Sequence, residues 1–337
     1  MMIRSIRLAA LAVGLAATGA QAQSLDTPFA LDWKFEGPAA PYFLAEERGY
    51  FDDAGLDVEI SEGSGSLDAI PKVATGSFPF GFADINSLMR FLDQNPDAPV
   101  KAVMMVYDKP PFSIVGRKSL GVDEPQDLEG RVLGAPPPDG AWAQFPIFAA
   151  ETGIDSDAIT VEPVGFPVRE PMLADGEVDA IAGFSFSSTL NLLRLGVPED
   201  DLSVLLMADH GLELYGNAII VNTDFAEANP DAVSGFLAGI ARGWKDAIAE
   251  PGTAVEAMVP ANPAMDTDSE TQRLELAINA NVLTDYVREN GMGGVDRERM
   301  TAAIEQTKLV YDFDQVPSIE DVFDARYLPA QADRMLE

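Results

Sequence analysis

The stretch ATGSFPFGFADINS (residues 74–87) begins as a helix end at Ala-Thr-Gly, runs through Phe78, Phe80 and Phe82, and stops abruptly in Asp84, Asn86 and Ser87. About a hundred residues later, LADGEVDAIAGFSFSS (residues 173–188) repeats the plan of helix end, glycine turn, apolar run and polar stop. Repeat arrays have periods of roughly 20–50 residues, so a spacing this wide points to two similar lobes. A short apolar run bounded by turn residues is a strand inside a core. In open parallel sheets, ligands bind beyond the carboxyl ends of the strands. The two polar stops are therefore expected to be the exits of two buried strands into one crevice, with Asp84 and Ser187 also suited to capping the helices that follow.

The flanking sequence keeps the same alternation. PFALDWKF (28–35) reads as a first strand, followed by a Gly/Pro loop and by YFLAEERGYFDDAGL, in which Tyr42, Phe43, Ala45, Tyr50 and Phe51 fall on a helical period. DVEIS, VKAVMMVYD, PFSIVGRK, RVLGAP, ITVEPV, VDAIAGF and NAIIVN read as further strands; AWAQFPIFAAETG and REPMLADG read as helices. The pattern is α/β with short connections and mostly parallel strands. From Phe225 the chain turns helical, and Pro230 opens a helix whose core face carries Val233, Phe236, Leu237, Ile240 and Trp244. Extended, turn-interrupted runs before PFSIVGRK and before NAIIVN can carry the chain between lobes. The expected organisation is lobe 1 from 23–111 and 215–337, with lobe 2 inserted as 112–214.

Residues 1–22 place Arg4 and Arg7 before a short apolar stretch and end in Ala-Gln-Ala, the pattern of a cleaved secretory signal. With no Cys to carry a lipid, the expected product is a periplasmic, soluble chain of about 315 residues, enough for two lobes. The formal net charge is −33. Nucleic acid and anionic lipid require basic patches, so neither is expected as a partner. The absence of Cys removes thiolate nucleophiles and cysteine zinc sites, and a single histidine, His210, removes any two-histidine metal site. No cofactor is expected. His210 reads as structural, and the adjacent Arg169 and Glu170 read as a solvated surface pair.

The candidate binding residues sit at strand exits. Ser64, Gly65 and Ser66 leave a strand and open a helix, which exposes backbone N–H groups suited to a polar ligand atom; the loop matches no nucleotide fingerprint. Asp84 and Asn86 close the opening stretch. Asp139 and Trp142 lie in APPPDGAWAQF, Phe184 ends the second apolar run, and Tyr215 and Asn217 lie near the return between lobes. Trp33 closes the first strand, where an aromatic face suits stacking on a planar ligand, and Tyr42 follows it.

LDWKFEGPAAPYFLAEERGYFDDAGLDVEI, GSLDAIPKVATGSFPFGFAD, PFSIVGRKSLGVDEPQDLEGRVLGAP, GEVDAIAGF and LYGNAIIVN together resemble the substrate-binding proteins of ABC importers in the SsuA/TauA and NMT1/THI5-like group. The resemblance spans residues 29–250. It implies a periplasmic two-lobe binding protein of the type II fold, a Venus flytrap closing on its ligand, monomeric, which delivers the ligand to a membrane permease and ATPase. LDW at the first strand end is similar to the branch that binds thiamine pyrimidine precursors, where the aromatic stacks on the ring. This chain has KFEGPAAPY where that branch has PN..H. The favoured ligand is a thiamine-pyrimidine-like heterocycle; sulfonates, taurine, nitrate and aromatic carboxylates are the alternatives. An enzyme using Asp84 or Asp139 as general base is the reading from another class. The synthase branch of the group relies on histidine and a cysteine-rich motif, and no Cys is present here.

Overall fold

The computed structural model describes residues 24–336; the expected signal segment, residues 1–22, lies outside them. In chain order the first part contains β1 (Leu25–Ala30), α1 (Ala40–Glu47), β2 (Leu56–Ser61), α2 (Ser66–Ala74), β3 (Phe80–Asp84), α3 (Ile85–Gln94) and β4 (Val100–Met105). The second contains β5 (Phe112–Arg117), β6 (Val132–Ala135), α4 (Gly140–Thr152), β7 (Thr160–Pro163), α5 (Phe166–Asp175), β8 (Ala180–Phe184), α6 (Ser185–Arg194) and β9 (Leu202–Leu206). The chain then returns through β10 (Asn217–Asn222) and continues as α7 (Thr223–Ala228), α8 (Pro230–Ala249), α9 (Pro251–Met258), α10 (Thr267–Ala277), α11 (Asp285–Asn290), α12 (Arg297–Val310) and α13 (Ile319–Val322).

Two five-stranded sheets result, in the orders β2-β1-β3-β10-β4 and β7-β6-β8-β5-β9. They share one topology. The repeated stretch is α2-β3-α3 in one and α5-β8-α6 in the other, so β3 and β8 are the equivalent central strands. In each sheet a single strand runs against the rest: β10 is antiparallel to β3 and β4, and β5 is antiparallel to β8 and β9. These are the two strands that arrive from the other sheet. The chain leaves a sheet at its carboxyl edge through residues 106–111 or 207–216 and enters the next at the facing edge, so its first strand must run away from the crevice.

Two readings from the sequence shift. The first strand starts earlier and ends earlier than PFALDWKF, at Ala30, because the backbone beyond it turns to the α2 loop: Gly65 N–H donates to the Asp32 carbonyl at 2.6 Å. That turn frees Trp33 from the sheet. Strand β9 was not expected, and helix α6, expected to follow a cap at Ser187, starts earlier, at Ser185. The β9 segment alternates weakly because it is an edge strand with Val204 exposed.

The cores explain the helical tail. Val233, Phe236, Leu237, Ile240 and Trp244 of α8 are all fully buried, and Phe236 stacks on Phe80 of β3 at 4.0 Å. Phe112, Leu133, Phe145 and Phe148 fill the second core. Beyond α8 the tail reaches the second sheet's helices: α10 packs on α6 and α12 on α4. No described helix is long and apolar enough to cross a membrane.

Candidate functional site

The carboxyl ends of the strands of both sheets face each other across a pocket. Its first wall consists of Asp32 and Trp33 beyond β1, Gly65 and Ser66 beyond β2, and Tyr42 of α1. Its second wall consists of Asp139 beyond β6, Phe166 beyond β7, Phe184 at the end of β8 and Ser187 in α6. The space between them is about 630 Å³, counting the part open to solvent. A lining that is mainly apolar with a few directed polar groups suits a small organic molecule.

The walls touch directly. The Trp33 ring meets Phe166 edge-to-face at 4.4 Å. The Ser187 hydroxyl donates to Glu36 Oε2 at 2.7 Å, and Arg273 of α10 donates to the Ser187 carbonyl at 3.2 Å. Gly65 has φ +104°, and a Cβ there would stand 2.5 Å from the carbonyl oxygen of Pro138 in the opposite wall. Only glycine allows that backbone and that approach.

Beneath the pocket lies a buried polar network. Asn217 Nδ2 donates to Asp32 Oδ2 at 2.6 Å, and the Ser66 hydroxyl donates to the same oxygen at 3.2 Å while accepting from Asp84 N–H at 3.0 Å. Asp84 caps α3, accepting from the backbone N–H groups of Asn86 and Ser87 and from their side chains. Gln144 Nε2 of α4 adds a donor from the second sheet. Burial pushes the Asp32 carboxyl up to about 7 against the pull of its Asn217 and Ser66 hydrogen bonds. Burial also raises Asp84, against those same capping donors.

The sequence-predicted residues divide accordingly. Trp33, Tyr42, Gly65, Ser66, Asp139 and Phe184 line the pocket. Asp84, Asn86 and Asn217 are fully buried in the network beneath it. Ser64 is exposed, with its N–H facing Asp68. Trp142 stacks on Phe145 at 5.2 Å, and Tyr215 is buried against Arg299 at 4.1 Å. His210 packs edge-to-face on Phe148. Ser187 is inside α6, whose cap position is held by Phe184, so its hydroxyl is free to reach Glu36.

Arg169 and Glu170 are not a solvated pair. Both are buried, at 2% and 4% exposure, with Arg169 donating to Glu170 at 2.9 Å and to Asp139 at 3.1 Å. Burial works against the guanidinium charge, but the two carboxylates outweigh it and hold Arg169 protonated. Sequence adjacency hid this, because Asp139, which draws the pair inward, lies 30 residues upstream. Asp32, Glu36 and Phe166 also escaped the sequence reading. Asp32 carried the only available signal, an acid between apolar neighbours at a strand end.

The NMT1/THI5 like family description matches residues 38–254. The chain belongs to that family. Two relatives frame it: the riboflavin-binding protein RibY of Chloroflexus aurantiacus, 24% identical over 86% of this chain and 82% of RibY, and the formylaminopyrimidine-binding protein of Halalkalibacterium halodurans, 24% identical over 68% of each. Fungal relatives carry the name 4-amino-5-hydroxymethyl-2-methylpyrimidine phosphate synthase. The alkanesulfonate-binding protein SsuA of Xanthomonas axonopodis pv. citri, solved bound to MOPS, superposes with a TM-score of 0.66 at 15% identity, over 91% of this chain and 99% of SsuA. The family and the superposition establish the two-sheet periplasmic binding protein fold for this NMT1/THI5-like chain.

Proposed function

We propose that the protein is the periplasmic solute-binding component of an ABC importer, and that it captures a planar, nitrogen-containing heterocycle of the thiamine-pyrimidine kind and hands it to a permease and ATPase. The observation that carries this is the pocket between the two rows of strand ends. Aromatic side chains, Trp33 and Tyr42 from one wall and Phe166 and Phe184 from the other, surround few polar groups. Aromatic rings on both sides suit a flat ligand. The names of two binding relatives, riboflavin-binding and formylaminopyrimidine-binding, support the ligand class.

In this reading residues 23–111 with 215–337 form one lobe and 112–214 the other, hinged at the two crossovers. Trp33 stacks on the ring, Tyr42, Ser66 and Asp139 contact its polar substituents, and the network of Asp84, Asn86 and Asn217 supports them. Ligand favours the closed form because it contacts both walls. The protein works as a monomer and releases its ligand unchanged, in contrast to the synthases of the family.

A thermal-shift screen of the purified protein against riboflavin, 4-amino-5-hydroxymethyl-2-methylpyrimidine, taurine, MOPS, nitrate and aromatic carboxylates tests this. A ligand at 100 times its Kd stabilises the native state by about 2.7 kcal/mol. A heterocycle hit, recovered chemically unchanged and lost in Trp33→Ala, is the expected result. A hit confined to the anions would overturn the ligand class, and conversion of the heterocycle would overturn the transport role.

A further inference from the structure

The charges around the pocket are unequal in their availability. Of the two cations that line it, Arg169 is already committed to Glu170 and Asp139, and Lys34 is exposed at the rim beside the Trp33 ring. Asp32 is committed on one side only. Both of its side-chain hydrogen bonds, from Asn217 and Ser66, fall on Oδ2. No side chain among the described residues donates to its Oδ1, and the residue lines the pocket at 6% exposure. Beside it, Tyr42 and Trp33 line the same pocket, and the buried Tyr42 hydroxyl and Trp33 indole N–H have no hydrogen-bond partner among the described residues. A buried polar group without a partner costs stability. The pocket thus offers one strong acceptor next to unused donors.

Resting on the heterocycle reading above, we propose that Asp32 is the anchor that selects the ligand: its carboxylate takes a hydrogen bond from an amino group or a ring N–H, the unpaired Tyr42 hydroxyl donates to an adjacent ring nitrogen or carbonyl, and the site rejects anions. A flat edge carrying a donor beside an acceptor satisfies both, as the N–C–NH2 edge of an aminopyrimidine or the imide edge of a flavin does. A sulfonate or nitrate would meet a carboxylate with no free guanidinium to oppose it.

Asp32 sits where its protonation matters at neutral pH. The groups facing it are Asp84 at the head of α3, Tyr42 from α1, Tyr107 from the first crossover, Lys34 and Glu36 on its own loop, and Asp139 with Arg169 from the second wall. Burial holds its carboxyl near 7. Binding through the carboxylate therefore weakens as pH falls below about 7, approaching tenfold per unit.

Calorimetric titrations of the purified protein with riboflavin, with 4-amino-5-hydroxymethyl-2-methylpyrimidine, with its analogue lacking the 4-amino group, and with taurine, from pH 5.5 to 8.5, test the proposal. Riboflavin does not titrate in that range, so its pH dependence reports the protein alone. The expected result is a heterocycle that loses affinity on the acid side, at least tenfold weaker binding without the amino group, no taurine binding, and at least tenfold loss with loss of the acid limb in Asp32→Asn. The wild-type pH profile and the ligand pair decide the matter if Asp32→Asn does not fold. A heterocycle bound equally well at all pH values, or equally well without its donor, overturns the anchor and leaves the proposed function standing. Taurine as the sole ligand, or no heterocycle binding at all, overturns both.

Discussion

Gln144 of α4 donates its Nε2 to Asp84 Oδ2 at 3.0 Å, from one sheet to the cap of a helix on the other. Asp84 already accepts four hydrogen bonds from Asn86 and Ser87, so this fifth one is not needed to hold α3. It couples the two walls at the buried end of the pocket.

Gln144→Ala is accordingly expected to leave the fold intact and loosen closure. A hydrogen bond to a charged group contributes about 1.5–3 kcal/mol, and because Asp84 keeps four donors the lower end applies. Ligand affinity should fall roughly tenfold, and small-angle scattering of the ligand-free protein should show a larger radius of gyration. An unchanged radius and unchanged affinity would remove Gln144 from the closing contacts.

Gly65→Ala tests the opposite contact. The backbone at φ +104° strains any side chain, by about 1–3 kcal/mol, in open and closed forms alike. The clash with the Pro138 carbonyl exists only when the walls meet. The variant should therefore melt at a lower temperature and also lose affinity beyond what that destabilisation accounts for. A variant that binds as wild type would show that closure leaves room at this position.

The raised Asp32 carboxyl makes a prediction about the ligand-free protein. Between the ordinary value of 3.8 and about 7, the folded state holds a proton that the unfolded state has released. Stability due to this group therefore declines as pH rises through that window and is lost above it. Other carboxylates have lowered values and act in the opposite sense, as Asp201 does through its bond from Ser119 N–H. The difference between wild type and Asp32→Asn isolates the effect. Melting curves from pH 4.5 to 8 should show the variant gaining on the wild type as pH rises; a constant difference would place the Asp32 titration outside the window.

These residues also show what the sequence discloses. The strand exits at Asp84 and Phe184 were legible because alternation, turn glycines and polar stops are local patterns, and they occur twice. Trp33, Gly65 and Ser66 followed from the same logic. Glu36, Phe166, Gln144 and the buried Arg169–Glu170 pair were not legible, since each acquires its role only when one sheet meets the other. The contact between Gly65 and Pro138 spans 73 positions, and no periodicity carries that information. Trp142 and Tyr215 looked like site residues because aromatic side chains at strand ends serve packing and binding alike, and only the neighbours Phe145 and Arg299 distinguish the two.

Arg299 yields the last prediction. Its guanidinium donates to the Asp108 carbonyl at 2.7 Å and to Asp108 Oδ2 at 3.3 Å in one crossover, and to the carbonyls of Leu214 at 2.7 Å and Glu213 at 3.1 Å in the other. It also lies over the Tyr215 ring. One side chain of α12 thus ties together both segments on which the lobes would turn. The carboxylate of Asp108 is 4% exposed, and removing its cation leaves it with Thr284 on Oδ2 and no partner on Oδ1. Breaking a buried pair costs about 3–5 kcal/mol; because the Arg299 side chain is 23% exposed, water replaces part of the loss and about 2–3 kcal/mol is expected for Arg299→Ala. Arg299→Lys keeps the charge but not the planar fork that serves both crossovers at once, so it should recover less than half of the stability. Denaturant unfolding of the three proteins checks the order. If lysine restores full stability, charge alone holds the crossovers and the fork geometry is incidental.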